Sequence, residues 1–170
     1  MLRPSIVATS EAAASITGTL QWLQSGWLSH AIAKANHMLV ASLQIVHVFG
    51  LILLLGPLLF IGLRLLGWAM RDQPLEDIIG QSRVLSLIGL ILSLTSGVFM
   101  FLSAPLHYYA NWAFDAKMAF LLVALLTYAL LYVWKPVQIR AHTTLARVHI
   151  VACILLWIMV CMAGRAIGFV

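Results

Sequence analysis

Long apolar runs broken by short polar segments set the pattern of this chain. The first run, residues 38–63, reads MLVASLQIVHVFGLILLLGPLLFIGL. A hydrocarbon core of roughly 30 Å takes about 20 apolar residues at about 1.5 Å each, so this run crosses a bilayer with room for tilt. Three similar runs follow, and the pattern predicts membrane helices at about 36–66, 82–103, 112–134 and 142–166. Pro57, after Gly56, is expected to kink the first of them. The segment GWAMRDQPLEDIIGQSR reads as a solvent-side connection in which Asp72 caps a helical turn holding Pro74, Glu76 and Asp77. Asn111 is placed to cap the third membrane helix.

Ahead of these runs the pattern is different. Ser10 and Glu11 form a helix start, and Ile16, Leu20, Leu23 and Trp27 recur at helical spacing opposite Gln21, Gln24 and Ser25. With Trp22 this predicts an amphipathic helix over about 10–33, lying at the bilayer surface or packed on a partner subunit. Residues 1–9 hold Arg3 and Pro4 but no apolar stretch of signal-peptide length, so no cleaved leader is expected. The fold class is therefore all-α: a four-helix integral membrane bundle with an N-terminal interfacial helix, treated as one transmembrane domain over 1–170.

On the second membrane helix Ser82, Ser86, Gly89, Ser93 and Gly97 form a stripe of small residues. Such a stripe lets another backbone approach closely, which is the expected role, with a groove for a flat cofactor as the alternative.

Composition agrees with the pattern: 63% of residues are hydrophobic and 9% charged, with a mean hydropathy of +1.03. The net charge of +5 comes from scattered Lys and Arg with no basic run, which disfavours nucleic acid as a partner. Arg64, Arg71, Arg83, Lys135, Arg140 and Arg147 flank the first and third connections, against Arg3, Lys34, Lys117 and Arg165 at the termini and the second connection. That bias predicts a bacterial inner-membrane protein with both termini periplasmic. Cys153 and Cys161, eight residues and about 12 Å apart along one helix, are too distant for a disulfide.

His47 is the feature that asks for a function. It is an ionisable side chain well inside the first apolar run, beside Gln44 and one turn before Gly50. Such a residue is costly in hydrocarbon and usually faces a binding site or a partner. Counted from His37 as the outer edge, His47 lies about 15 Å deep; counted from His142 as the inner edge, His149 lies about 10 Å deep. Across a core of roughly 30 Å the two levels then differ by about 5 Å. Imidazoles facing each other at one level are what axial ligation of a haem b needs. The same pair also suits a hydrogen-bonded polar pair, a quinone site or a metal. His37 and His107, with His30, form a second group near the outer surface for another haem, a metal, or interfacial anchoring. Arg140, Arg147 and Arg165 project away from His149 and are expected to snorkel.

Asp115 is expected to pair with Lys117 at the interface. No GxSxG, HExxH, Gly-rich phosphate loop or pair of buried carboxylates occurs, so hydrolysis and phosphoryl transfer are disfavoured.

The run WLSHAIAKANHMLVASLQIVHVFGLILLLGPLLFIGLRLLG, the segment NWAFDAKMAFLL and the ending GRAIGF resemble a family of small bacterial four-helix membrane proteins of unknown function. His47 with Gly50, Arg64 to Gly67, and Gly164 with Arg165 carry the resemblance. The chain departs from it at Gly62, where the family has an acid, and at Ser29-His30, where the family tends to proline. The resemblance implies the four-helix fold and no particular activity.

The reading expected from these features is a small b-type cytochrome-like electron-transfer or membrane-anchor subunit passing electrons between a partner and quinone. His47 and His149 would be the haem ligands, with His37 and His107 as further cofactor residues. The alternatives are a cofactor-free scaffold subunit and a module handling copper or a small solute, using histidine with some of Met38, Met100, Met159 and Met162. Expected partners are membrane lipid and other protein subunits or a second copy of the chain.

Overall fold

Backbone polar groups inside hydrocarbon can be satisfied only within helices or a closed barrel, and this chain takes the first solution. The computed structural model describes residues 4–26, 37–69, 72–133 and 144–169. Its helices are α1 (Pro4–Ser25), α2 (His37–Leu66), α3 (Leu75–Ser103), α4 (Pro105–Tyr109), α5 (Trp112–Val133) and α6 (Thr144–Ala166). Four of them, α2, α3, α5 and α6, are long and apolar enough to cross a membrane.

The ends of the helices follow from local chemistry. Gly67 closes α2 with φ +76°, a left-handed conformation that glycine adopts without a Cβ clash. Trp68 N–H then reaches back to Leu63 O at 2.9 Å and Gly67 N–H to Arg64 O at 3.1 Å, the paired bonds of a Schellman ending. Arg64 Nε donates to Gln73 O at 3.0 Å, tying the helix end to the following turn.

Helix α3 begins at Leu75, about two turns before the expected 82, because Leu75, Ile78, Ile79 and Ser82 continue its buried face. Pro74 takes the N-cap position with no side-chain hydrogen bond, so Asp72 does not cap this helix; Glu76 and Asp77 sit in its first turn, where acids complement the helix dipole. Asn111 does cap α5, its Oδ1 accepting from Ala113 N–H at 2.9 Å while its Nδ2 donates to Ile167 O at 3.2 Å. Helix α1, expected to be interfacial, starts at Pro4 rather than near Ser10, and positions 27–33 of the expected span lie outside the described residues. It rests against α4 and the end of α3; Leu20 is buried while Gln21, Trp22 and Gln24 are exposed.

Helix α2 packs along both α3 and α6, and α6 along α5, giving the spatial order α3, α2, α6, α5. Leu54, Leu58 and Ile61 of α2, Ala124 and Leu131 of α5, and Ile150, Cys153 and Trp157 of α6 form the innermost core. The tightest crossing is between glycines. A Cβ on Gly89 would stand 2.5 Å from Leu54 N and 2.6 Å from Gly50 O, and one on Gly50 would stand 2.7 Å from Ser93 N. At Gly89 the small-residue stripe is thus filled by the backbone of α2, the packing outcome rather than a cofactor groove. Facing α5, Ser86 Oγ meets the hydroxyls of Tyr128 at 3.1 Å and Tyr132 at 3.0 Å, bridging α3 to α5.

Candidate functional site

His47 lies just under one turn before Gly50, so the glycine crossing carries its half-buried ring against α3. Its Nδ1 is 2.9 Å from Ser93 O and 3.1 Å from Ser96 Oγ. Ser96 Oγ itself donates to Leu92 O at 2.7 Å. With a backbone carbonyl as partner, Nδ1 carries the proton and Nε2 keeps its lone pair. This is the arrangement by which proteins orient an imidazole whose other nitrogen binds a metal or exchanges a proton. The ring rests on Gly97, where a Cβ would come within 3.3 Å of His47 Cε1.

Lys117 of α5 reaches the same end of the bundle and lies within electrostatic range of His47 and of Cys161 on α6. Its stem passes over Gly164, where a Cβ would lie 3.4 Å from Nζ. Glycine at that position therefore leaves the channel the lysine runs through. Asp115 is two residues and about 200° away around the helix, and it is exposed. The expected Asp115–Lys117 ion pair does not form: among the described residues no carboxylate faces the ammonium. Lys117 was legible only as an interfacial residue, although an ammonium five residues into an apolar span, with its nearest acid on the opposite face, is a signal in itself. Ser96 gave no such signal.

His149 is built into a different part of the bundle. Its Nε2–H donates to Thr127 O of α5 at 3.0 Å. Neighbouring Ile150 packs at the level of Gly62 on α2, where a Cβ would be 3.7 Å from the Ile150 side chain and 2.9 Å from that of Ile154. His47 stands fifteen residues before Gly62, about 22 Å along the helix. The two histidines are thus roughly 20 Å apart in level, not the 5 Å expected, and face different helices. The difference arises because α2 has 30 residues and so a length of about 45 Å, well beyond a 30 Å core. A single iron cannot take one nitrogen from each in this arrangement.

His107 is exposed on α4, its ring 5.9 Å from that of Tyr108. Tyr108, Phe101 and Phe114 form an aromatic cluster, with Phe101 and Phe114 stacked at 5.4 Å. Burial there pushes the Tyr108 phenol above its usual range. His37 begins α2 at this same end, its side chain outside the described residues, as is all of His30. Arg147 is exposed, and Arg165 lies 4.8 Å over the Phe169 ring. Among the described residues no three His, Cys, Asp or Glu side chains gather as a metal cluster. Met38, Met159 and Met162 are exposed and Met100 half-buried.

The residues that carried the resemblance have physical roles here. Gly50 makes the α2/α3 crossing, Gly67 ends α2, Arg64 holds the next turn and Gly164 makes room for Lys117. The model of a family of unknown function (DUF6644) matches residues 19–170, a span that takes in all four apolar helices. No curated protein and no solved structure gives a significant match.

Proposed function

Since the chain belongs to the DUF6644 family, whose function is unknown, its role must be read from its own residues, and we propose that it is a small membrane subunit that passes electrons between a protein partner and quinone, with His47 and Lys117 as the quinone site. The observation that carries this reading is the His47 Nδ1 contact to Ser93 O at 2.9 Å. It frees Nε2 within electrostatic range of an ammonium that no described acid neutralises. A quinone is an apolar ring with two carbonyl oxygens, and it reaches its site through the bilayer. Lys117 Nζ would donate to one carbonyl oxygen, and His47 Nε2 would hold or release the proton that accompanies reduction. The electrons come from the partner subunit.

A second reading rests on the same observation. Nδ1–H bonded to a carbonyl is also how an axial histidine is oriented, so His47 would be one ligand of a haem b. His37, His107 or a partner subunit would supply the other. In both readings the protein sits in a bacterial inner membrane with both termini and the His47 end periplasmic, as the Arg and Lys distribution supports.

One preparation tests these readings. The protein is purified from haem-replete cells, its absorption spectrum is recorded and its lipid extract is assayed for quinone. Quinone that is retained by the parent and lost in both His47→Ala and Lys117→Gln supports the first reading. A Soret band that shifts on dithionite reduction and is lost in His47→Ala supports the second. A colourless, quinone-free preparation overturns both and leaves the scaffold subunit, and stoichiometric copper leaves the copper module. A cysteine at Ala110 should react with an impermeant thiol reagent in intact cells while one at Gln73 does not; the reverse pattern overturns the orientation.

A further inference from the structure

The order α3, α2, α6, α5 leaves α3 and α5 as the two ends of the series, and they do not close on each other along their length. Between them runs a groove of about 470 Å³, open along one side. Leu87 and Leu90 of α3 and Leu122, Leu125 and Leu126 of α5 line most of it. At one end stand the Tyr128 and Tyr132 rings and Arg83. The phenol hydroxyls are turned inward onto Ser86 Oγ, so the aromatic faces border the groove while their polar atoms are already satisfied. Arg83 is exposed and near both phenols. Among the described residues its guanidinium has no acid partner. Glu76, the nearest acid on the same helix face, is two turns back and exposed.

We propose that this groove is a binding site for an anionic phospholipid, with one acyl chain along the leucines and the phosphate on Arg83. The chemistry is complementary at both ends. The lining is almost wholly apolar, which a soluble anion has no use for. The arginine fork matches two phosphate oxygens. The head-group end of the groove is far from His47: Arg83 is thirteen residues before Ser96 on α3, about 20 Å along the helix. It therefore stands or falls independently of the quinone reading.

The test uses the full-length protein in nanodiscs of phosphatidylcholine doped with a photoactivatable phosphatidylglycerol, crosslinked sites being mapped by peptide mass spectrometry. Crosslinks are expected on residues 83–90 and 122–132. Arg83→Gln should lower their yield about fivefold, as expected for one lost head-group charge contact, and Arg83→Lys should keep most of it. Leu126→Trp, an exposed position on the groove wall, should displace the acyl chain and lower the yield without altering the charge. Glycerol phosphate in excess should not compete, because the acyl chain supplies much of the binding. Equal labelling by a phosphatidylcholine probe, an unchanged yield in Arg83→Gln, or full competition by glycerol phosphate would each overturn the proposal. Matched melting curves for the variants show that a lost crosslink is not lost folding.

Discussion

Replacing Gly89 by alanine adds one methyl group at the closest approach in the molecule. The new Cβ would stand 2.5 Å from Leu54 N, 2.6 Å from Gly50 O and 2.7 Å from Leu53 C, all backbone atoms, whereas ordinary contact begins at 3.4 Å. No rotamer change relieves this, so α2 and α3 must separate by about 1 Å, the gap between those distances and ordinary carbon contact. Overpacking of this kind costs about 1–3 kcal/mol, offset by up to about 1 kcal/mol of helix propensity. A net loss near 1–2 kcal/mol is expected. Gly80→Ala on the same helix is the control, since nothing lies within 4 Å of its Cβ; there the propensity gain stands alone and stability should rise by up to about 1 kcal/mol. Both are measured by unfolding in mixed detergent micelles, followed by circular dichroism. If Gly89→Ala unfolds at the same point as Gly80→Ala, the two helices do not cross on their glycines and the placement of His47 against Ser93 loses its support.

Other consequences can be checked separately. Ser86→Ala removes the common partner of two phenol hydroxyls and should cost about 1–3 kcal/mol in the same unfolding assay, with Tyr128→Phe less damaging because it removes donor and desolvation together. Asn111→Ala loses the α5 cap and the tie to Ile167 O; a loss of about 1 kcal/mol is expected, with faster hydrogen exchange at Ala113 N–H. For Tyr108, burial raises the phenol above 10.0, so the folded state favours the neutral form. Its contribution is complete below pH 10 and declines as pH rises through the raised folded value. Spectrophotometric titration at the phenolate band should show a late-titrating component that loses one tyrosine in Tyr108→Phe, the remainder coming from the buried Tyr128 and Tyr132.

The sequence by itself determined the four apolar helices and the capping role of Asn111, and favoured packing for the Ser82–Gly97 stripe. Each of these rests on a local property: hydropathy over about 20 residues, a side chain two residues before an amide, or small residues at helical spacing. Only the tertiary structure decided where Lys117 goes and how far His47 lies from His149. Depth counted inward from each helix end assumes that every helix is as long as the hydrocarbon is thick. Here α2 has 30 residues, and its register against α3 and α6 is set at Gly50 and Gly62, not at its ends. The same is true of Ser86, whose hydroxyl reads as one more small residue in the stripe until two tyrosines from α5, more than 40 positions later, are brought onto it. Helix formation is legible because its energetics are local, whereas a site between helices depends on axial offsets that no single segment encodes.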